Sequence, residues 1–173
     1  MRRLVYCLIL GIALPAQADS NSWGRFENDF DEAQRPWEEI QARLPAAPKA
    51  EALLPFTVDA TVAGKYYIDG QSISVGEDGV VRYTVAVVSA QGARTVNFEG
   101  MRCDTLERKI YAFGRPTGEW ARNRYPRWEP IHARQQTSYH RELFYAYFCA
   151  GGEGLASVET IRHRLKTGGY RND

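Results

Sequence analysis

This sequence is poor in the residues that metal sites and thiol chemistry require. The 173-residue chain holds three cysteines, three histidines and two methionines. Zinc sites and catalytic dithiols use closely spaced ligand pairs such as Cys-x-x-Cys, and the chain has no such pair. A phosphate-binding loop is missing too, since Gly151-Gly152-x-Gly154 follows a predicted helix where such a loop would follow a strand. The sequence therefore predicts neither a metal ion nor a cofactor.

The chain also lacks a long apolar run and an excess of charge of either sign. Its longest apolar segment, Leu4 to Leu14, is about half of the roughly 20 residues that span a bilayer. The formal net charge is +1, which gives no bulk attraction to nucleic acid. We therefore expect no transmembrane segment and no nucleic-acid partner.

Residues 1–18 have the pattern of a cleaved signal peptide. Arg2 and Arg3 form a basic start, an apolar run follows, and residues 16–18 read Ala-Gln-Ala, the small-x-small motif that signal peptidase cuts. Cys7 lies inside the apolar run and does not suit lipid attachment. The pattern predicts cleavage before Asp19 and a periplasmic protein.

Export leaves Cys103 and Cys149 as the cysteines of the mature chain. Two cysteines in an oxidising compartment favour a disulfide. Their wide separation argues against a redox dithiol or a zinc site. We therefore predict a structural disulfide. Closing a loop of this length is expected to stabilise the folded protein by about 4 kcal/mol.

The mature chain is predicted to hold a helical N-terminal arm and linker over residues 19–54 and a single α+β domain over residues 55–173. After Pro36, the residues Trp37, Ile40 and Leu44 recur at helical spacing, which predicts a short helix from Pro36 to Leu44. Seven acidic and two basic residues lie between Asp19 and Glu39. This acidic stretch can neutralise a basic loop in the same molecule or in a neighbour.

The domain has the alternating pattern of β-strands joined by short turns. Val80 to Ser89, Ala93 to Cys103 and Glu107 to Gly114 are predicted strands. Connections this short leave no room for crossover helices. We expect an antiparallel meander sheet of four to six strands.

Two helices are predicted after the sheet. The first begins at a Ser138 cap and carries an apolar stripe of Leu143, Phe144, Tyr147 and Phe148 that ends near Cys149. It is expected to pack on one face of the sheet and to be tethered there by the disulfide. The second helix is predicted from Val158 to Lys166.

A joint is predicted between the middle strand and the first helix. Gly100 is interpreted as a bulge, and Arg102 is expected to pair with Glu99 or with Glu142. Cys103 then faces the helix.

The segment from Arg115 to Gln136, called the basic loop below, mixes arginines with aromatic residues. Such residues carry much of the energy of protein recognition. The alternative is a structural strap whose tryptophans are half buried under arginines. The candidate binding residues are Arg115, Trp120, Arg122, Arg124, Tyr125, Arg127 and Trp128.

The sequence contains few candidate catalytic residues. Ser138, His132 and His140 are the candidates for a hydrolase, but no nucleophile-elbow glycine pattern surrounds the serine. We therefore expect a protein that is not an enzyme, and keep an envelope hydrolase with a serine and histidine site as an alternative.

Several residue strings resemble the cryptic neisserial protein family, which consists of exported, mainly proteobacterial proteins of unassigned function. The strings are Phe56 to Val58, Tyr67-Ile68-Asp69, Ser72 to Val75, Asp78 to Tyr83, Asn97 to Gly100 with Arg102-Cys103, Lys109 to Ala112 and Tyr145 to Cys149. A fainter similarity to the surface-adhesin protein E group rests on residues 66–69, 80–82, Trp128-x-x-Ile131 and the two late cysteines. That group implies an antiparallel sheet, a disulfide-tethered C-terminal helix and binding of host matrix proteins.

The residues and the resemblance together predict a non-catalytic periplasmic or cell-envelope binding module. Its expected partner is another envelope protein. Adhesin-like binding of an extracellular protein is a further alternative.

Overall fold

The computed structural model describes residues 36–58, 63–132, 138–149 and 154–169. The predicted signal peptide, its cleavage site and residues 19–35 of the arm lie outside the described residues. All contacts given below lie within one unit, Glu38–Asp173.

An antiparallel sheet forms the centre of this unit. Its main path runs in the order β1-β2-β4-β5-β6-β7, while β3 pairs with β4 and β8 pairs with β6. The strands are β1 Leu53–Phe56, β2 Lys65–Asp69, β3 Ser74–Val75, β4 Val80–Val88, β5 Arg94–Arg102, β6 Glu107–Gly114, β7 Trp120–Arg122 and β8 Glu129–Pro130. The predicted antiparallel meander is confirmed, and in the described part of the chain the short strands β3 and β8 join a main path of six strands.

Among the described residues, three short helical segments accompany the sheet, besides a 3-10 turn at Ala50–Ala52. Helix α1, Tyr139–Glu142, continues into a π-helical turn, Leu143–Phe148, and helix α2 spans Val158–Thr167. The side chain of Ser157 caps α2 by accepting a hydrogen bond from the Thr160 amide, and Gly168 ends it in a left-handed conformation.

The helices cover one face of the sheet and bury most of the core there. Tyr83, Val85 and Met101 project from β4 and β5 and are fully buried. The ring of Phe148, on the π-helical turn, packs against Tyr83 with centroids 4.8 Å apart. The four residues of the predicted apolar stripe are all buried. This face is called the helix face below.

The disulfide between Cys103 and Cys149 is present and joins the end of β5 to the end of the π-helical turn. The two Cα atoms lie 5.5 Å apart, within the range that disulfides favour. The bridge holds the helices on the sheet, so the predicted α+β fold with a tethered helix is confirmed.

The predicted helix from Pro36 to Leu44 is wrong. Residues 36–49 contain no helix. Residues 38–49, called the strap below, contact the opposite face of the sheet through β4, β6 and β7. The Ile40 amide donates to the Asp78 carboxylate at 2.8 Å, and the Arg82 guanidinium donates to the Ile40 carbonyl at 2.7 Å. Backbone groups that a helix would pair internally are bound to the sheet instead, and such tertiary contacts override a weak local preference.

Gly100 lies beneath the strap, and it has a different role from the predicted bulge. The register shift between β5 and β6 falls between Phe98 and Glu99. A Cβ atom at Gly100 would lie 2.5 Å from the Tyr111 hydroxyl. The glycine therefore makes room for the Tyr111 ring.

Gly100→Ala is expected to lower the free energy of unfolding by about 1–3 kcal/mol, because overpacking forces Tyr111 from its position. Urea unfolding of a double-mutant cycle with Tyr111→Ala measures this contact. The alanine should cost little once the ring is removed. An equal cost in both backgrounds would show that the contact with Tyr111 is not the reason.

Candidate functional site

The basic loop follows β6 and is partly ordered by pairing with it. Strand β7 lies inside the loop and pairs with the end of β6, with Trp120 opposite Gly114. Strand β8 returns to the start of β6. Residues 133–136 of the loop lie outside the described residues.

Five of the seven predicted binding residues lie on the surface. Tyr125 is 79% exposed. The exposed arginines are Arg115, Arg122, Arg124 and Arg127. Among the described residues, none of these four guanidinium groups forms a salt bridge. The loop therefore presents positive charge without an acidic partner from the described part of the chain.

The other two predicted residues, Trp120 and Trp128, fasten the loop to the strap. Both are half-buried. The indole N–H of Trp120 donates to the Pro45 carbonyl at 2.8 Å, and the indole N–H of Trp128 donates to the Glu39 carboxylate at 3.2 Å. These two residues hold the basic loop against the strap, because their indole N–H groups are bonded inside the molecule.

Glu39 is the acidic residue of the strap that meets the loop. Its carboxylate also accepts hydrogen bonds from the Lys109 ammonium at 2.6 Å and from the Tyr111 hydroxyl at 2.7 Å. Burial alone would raise the pKa of Glu39, but these donors and the charge of Lys109 hold the pKa below its ordinary value. Glu39 thus stays ionised and binds Trp128 rather than one of the loop arginines.

The tip of the loop is held by Asn123. Its amide N–H donates to the Tyr111 carbonyl, and its side-chain amide donates to the Ile110 carbonyl, each at 2.9 Å. The side-chain oxygen accepts from the Tyr125 amide at 3.1 Å. This turn displays Arg122, Arg124 and Tyr125 from a fixed backbone.

A cavity of about 390 Å³ lies beside the loop, between the strap and the ends of β5 and β6. Its apolar lining includes Pro48, Val96 and Trp120. Arg94 and Arg115 line it as well, and both are exposed. The cavity suits a group that is apolar at one end and anionic at the other.

A second cluster, which the sequence did not reveal, surrounds Glu99 on the helix face. This carboxylate is fully buried. It accepts hydrogen bonds from the hydroxyls of Tyr83 at 2.9 Å and Tyr139 at 2.7 Å, from the Asn97 amide at 3.0 Å, and meets His140 Nε2 at 2.9 Å. Burial alone would raise the pKa of Glu99. The charge and hydrogen bond of His140, together with the hydrogen bonds from Tyr139 and Asn97, outweigh burial and lower the pKa to about 2.

The predicted pairing of Arg102 with Glu99 or Glu142 is wrong. Arg102 and Glu99 are three positions apart on β5, and alternation places them on opposite faces of the strand. The Arg102 guanidinium instead bonds Asp104 at 2.9 Å and Glu107 at 3.4 Å.

The hydrolase candidates Ser138 and His140 lie next to this cluster. Ser138 Oγ is 3.3 Å from His140 Nδ1, and the serine side chain forms no cap hydrogen bond to α1, contrary to the expectation. A cavity of about 380 Å³ is lined by both residues together with Arg108, Glu129 and His132. The structure thus brings all three predicted hydrolase residues to one cavity.

The comparisons with known proteins match the chain to a family. The sequence model of the CNP1-like family matches residues 32–166. No curated protein and no solved structure matches the chain. Among the described residues, no helix has the length and apolar character needed to cross a membrane.

Proposed function

We propose a function, from the geometry of the basic loop, for this chain, which belongs to the CNP1-like family. The protein is an exported binding module of the cell envelope, and it recognises an acidic protein partner through the basic loop. The predicted signal peptide of residues 1–18 supports the periplasmic location.

The observation that carries this proposal is the exposed positive charge of the loop. Arg122, Arg124 and Arg127 lie close together in sequence around exposed Tyr125, and no described acidic residue neutralises them. Arginine and tyrosine are enriched at protein interfaces because each combines apolar area with directed hydrogen bonds. A carboxylate-rich partner supplies the missing acceptors.

The fixed shape of the loop supports binding as well. Asn123 holds the tip, while the two tryptophans hold the loop to the strap. A surface that is ordered before binding loses less conformational freedom on binding, which favours affinity. The adjacent cavity, with Arg94 and Arg115, can receive an apolar side chain of the partner beside a carboxylate.

The test uses the tyrosine-containing acidic copolymer poly(Glu,Tyr) as a defined probe. Replacing Arg122, Arg124 and Arg127 by alanine is expected to weaken binding by about 10- to 100-fold, as loss of several interface arginines does. Biolayer interferometry at several salt concentrations should also show a shallower salt dependence, because fewer exposed charges contribute.

A control variant removes the same number of charges elsewhere. Lys49, Lys65 and Lys166 are exposed, and their replacement by alanine should leave the affinity within about 2-fold of the original. Equal losses in both triple variants would mean that net charge drives the binding, which would overturn the assignment to the loop.

The fainter resemblance to the surface-adhesin protein E group leads to a second candidate function with the same surface. In that case the partner is an extracellular matrix protein. An antiparallel sheet with a disulfide-tethered helix supports this alternative at the level of the fold. Protease treatment of intact cells distinguishes the two candidates. A surface adhesin is digested, whereas a periplasmic module is protected by the outer membrane.

A further inference from the structure

The helix face carries a second site, built from residues that the basic loop does not use. Ser138, His140 and Glu99 form a continuous line of hydrogen-bonding groups. Ser138 Oγ lies 3.3 Å from His140 Nδ1, and His140 Nε2 lies 2.9 Å from the Glu99 carboxylate. An alcohol, an imidazole and a carboxylate in this order are the parts of an activated nucleophile.

The ionised Glu99 carboxylate determines which nitrogen of His140 carries the proton. An ionised carboxylate can only accept hydrogen bonds, so His140 Nε2 must carry a proton towards Glu99. In the neutral imidazole, Nδ1 then has a lone pair that faces the Ser138 hydroxyl. His140 is thereby oriented as a base for the serine.

Glu99 is held in its orienting position from several sides. Tyr83, Asn97 and Tyr139 donate to its two oxygens, and the side chain is fully buried. A buried carboxylate fixed in this way keeps the imidazole in one tautomer and stabilises the imidazolium that forms when the serine gives up its proton.

The serine opens onto space that can hold a substrate. Ser138 is partly exposed, and it lines the cavity of about 380 Å³ with His140 and His132. Arg108 lines the same cavity and bonds Glu129 at 2.8 Å. A cationic side chain beside the nucleophile can stabilise negative charge on a substrate oxygen.

We propose that Ser138 is a catalytic nucleophile that hydrolyses short-chain carboxylic esters, with His140 as general base and Glu99 as its positioning residue. Ser138 Oγ attacks the carbonyl carbon and its proton passes to His140. The ester C–O bond then breaks, and the leaving alcohol takes that proton. Water next attacks the acyl-serine and gives a proton to His140, which returns it to Ser138 Oγ as the carboxylic acid leaves.

The first test asks whether the serine is activated. A fluorophosphonate probe reacts with activated serines, and mass spectrometry of the labelled mature protein locates the adduct. Ser157 is the matched control, because it also directly precedes a helix and, among the described residues, its hydroxyl forms hydrogen bonds with Thr160 and none with a histidine. Ser138 is expected to react at least about 100-fold faster than Ser157, the scale that general-base assistance provides.

The second test measures hydrolysis of p-nitrophenyl acetate. Ser138→Ala should lower kcat/KM by about 100-fold or more, and Ser157→Ala should leave it unchanged. His140→Gln keeps a donor towards Glu99 but removes the base, so it should abolish labelling of Ser138 while the protein remains folded by circular dichroism.

Equal reaction of the two serines, or hydrolysis unchanged in Ser138→Ala, would overturn this assignment and leave the line of contacts as a structural tie between α1 and β5. These outcomes are independent of the binding proposal, because the basic-loop variants alter neither Ser138 nor His140.

Discussion

Replacing both Cys103 and Cys149 by serine is expected to lower the free energy of unfolding by about 4 kcal/mol. The bridge closes a loop with a sequence separation of 46 residues, and opening it restores chain entropy to the unfolded state. Urea unfolding of the oxidised protein and of the double serine variant measures the difference. Because the bridge ends beside the π-helical turn, the helices should detach first.

A reducing agent provides the matched control for the disulfide. Treating the unsubstituted protein with dithiothreitol should give nearly the same stability as the double serine variant, since both lose the same cross-link. If the reduced protein and the double serine variant unfolded at the same urea concentration as the oxidised protein, the stabilising role of the disulfide would be contradicted.

Glu99→Ala is expected to cost about 3–5 kcal/mol of unfolding free energy, the range for removing one partner from a buried charged cluster. Tyr83, Tyr139 and His140 would keep buried polar groups without their acceptor. Glu77→Ala, at an exposed position, should change stability by less than about 0.5 kcal/mol. Equal effects of the two variants in urea unfolding would contradict the importance of the cluster.

The same carboxylate also predicts how stability depends on pH. The pKa of Glu99 is about 2 in the folded protein, below the ordinary value of 4.5 that applies to the unfolded chain. Its contribution is therefore fully present above about pH 4.5 and is lost as the pH falls towards 2. Unfolding free energies measured across this window should fall more steeply for the original protein than for Glu99→Gln, which cannot take up that proton.

Much of the sheet and helix layer could be predicted because local pattern and packing agree there. In β4 and β5, the alternation of the sequence correctly indicates which face is buried. The helical spacing of the apolar stripe that includes Phe148 does the same for the helix. The short turns exclude parallel pairing. With Cys7 assigned to the predicted signal peptide, Cys103 and Cys149 remain, and they allow a single intramolecular bridge.

The strap could not be predicted because its structure depends on distant residues. Local spacing after Pro36 favours a helix, but the backbone of Ile40 is bound by Asp78 and Arg82, about 40 residues away. Spacing within a segment carries no information about such partners.

The candidate sites were predictable to different degrees. The composition of the basic loop indicated its exposed arginines, but it did not distinguish Tyr125, which is exposed, from Trp120 and Trp128, which are half-buried. Glu99 was missed because its role depends on the register that sets it opposite Tyr83 and on a helix about 40 residues later. The available signal was an acidic residue inside a predicted strand, between Phe98 and Gly100.

The most direct test of the binding proposal is photo-crosslinking in living cells from position 125. Tyr125 is replaced by a photoreactive benzoylphenylalanine, and the same residue at exposed Glu159 on α2 is the control. We predict an adduct from position 125 with an envelope protein whose crosslinked peptide is rich in Asp and Glu. This adduct should disappear when Arg122, Arg124 and Arg127 are alanine. Adducts that persist in that variant, or that form equally from position 159, would contradict binding through the basic loop.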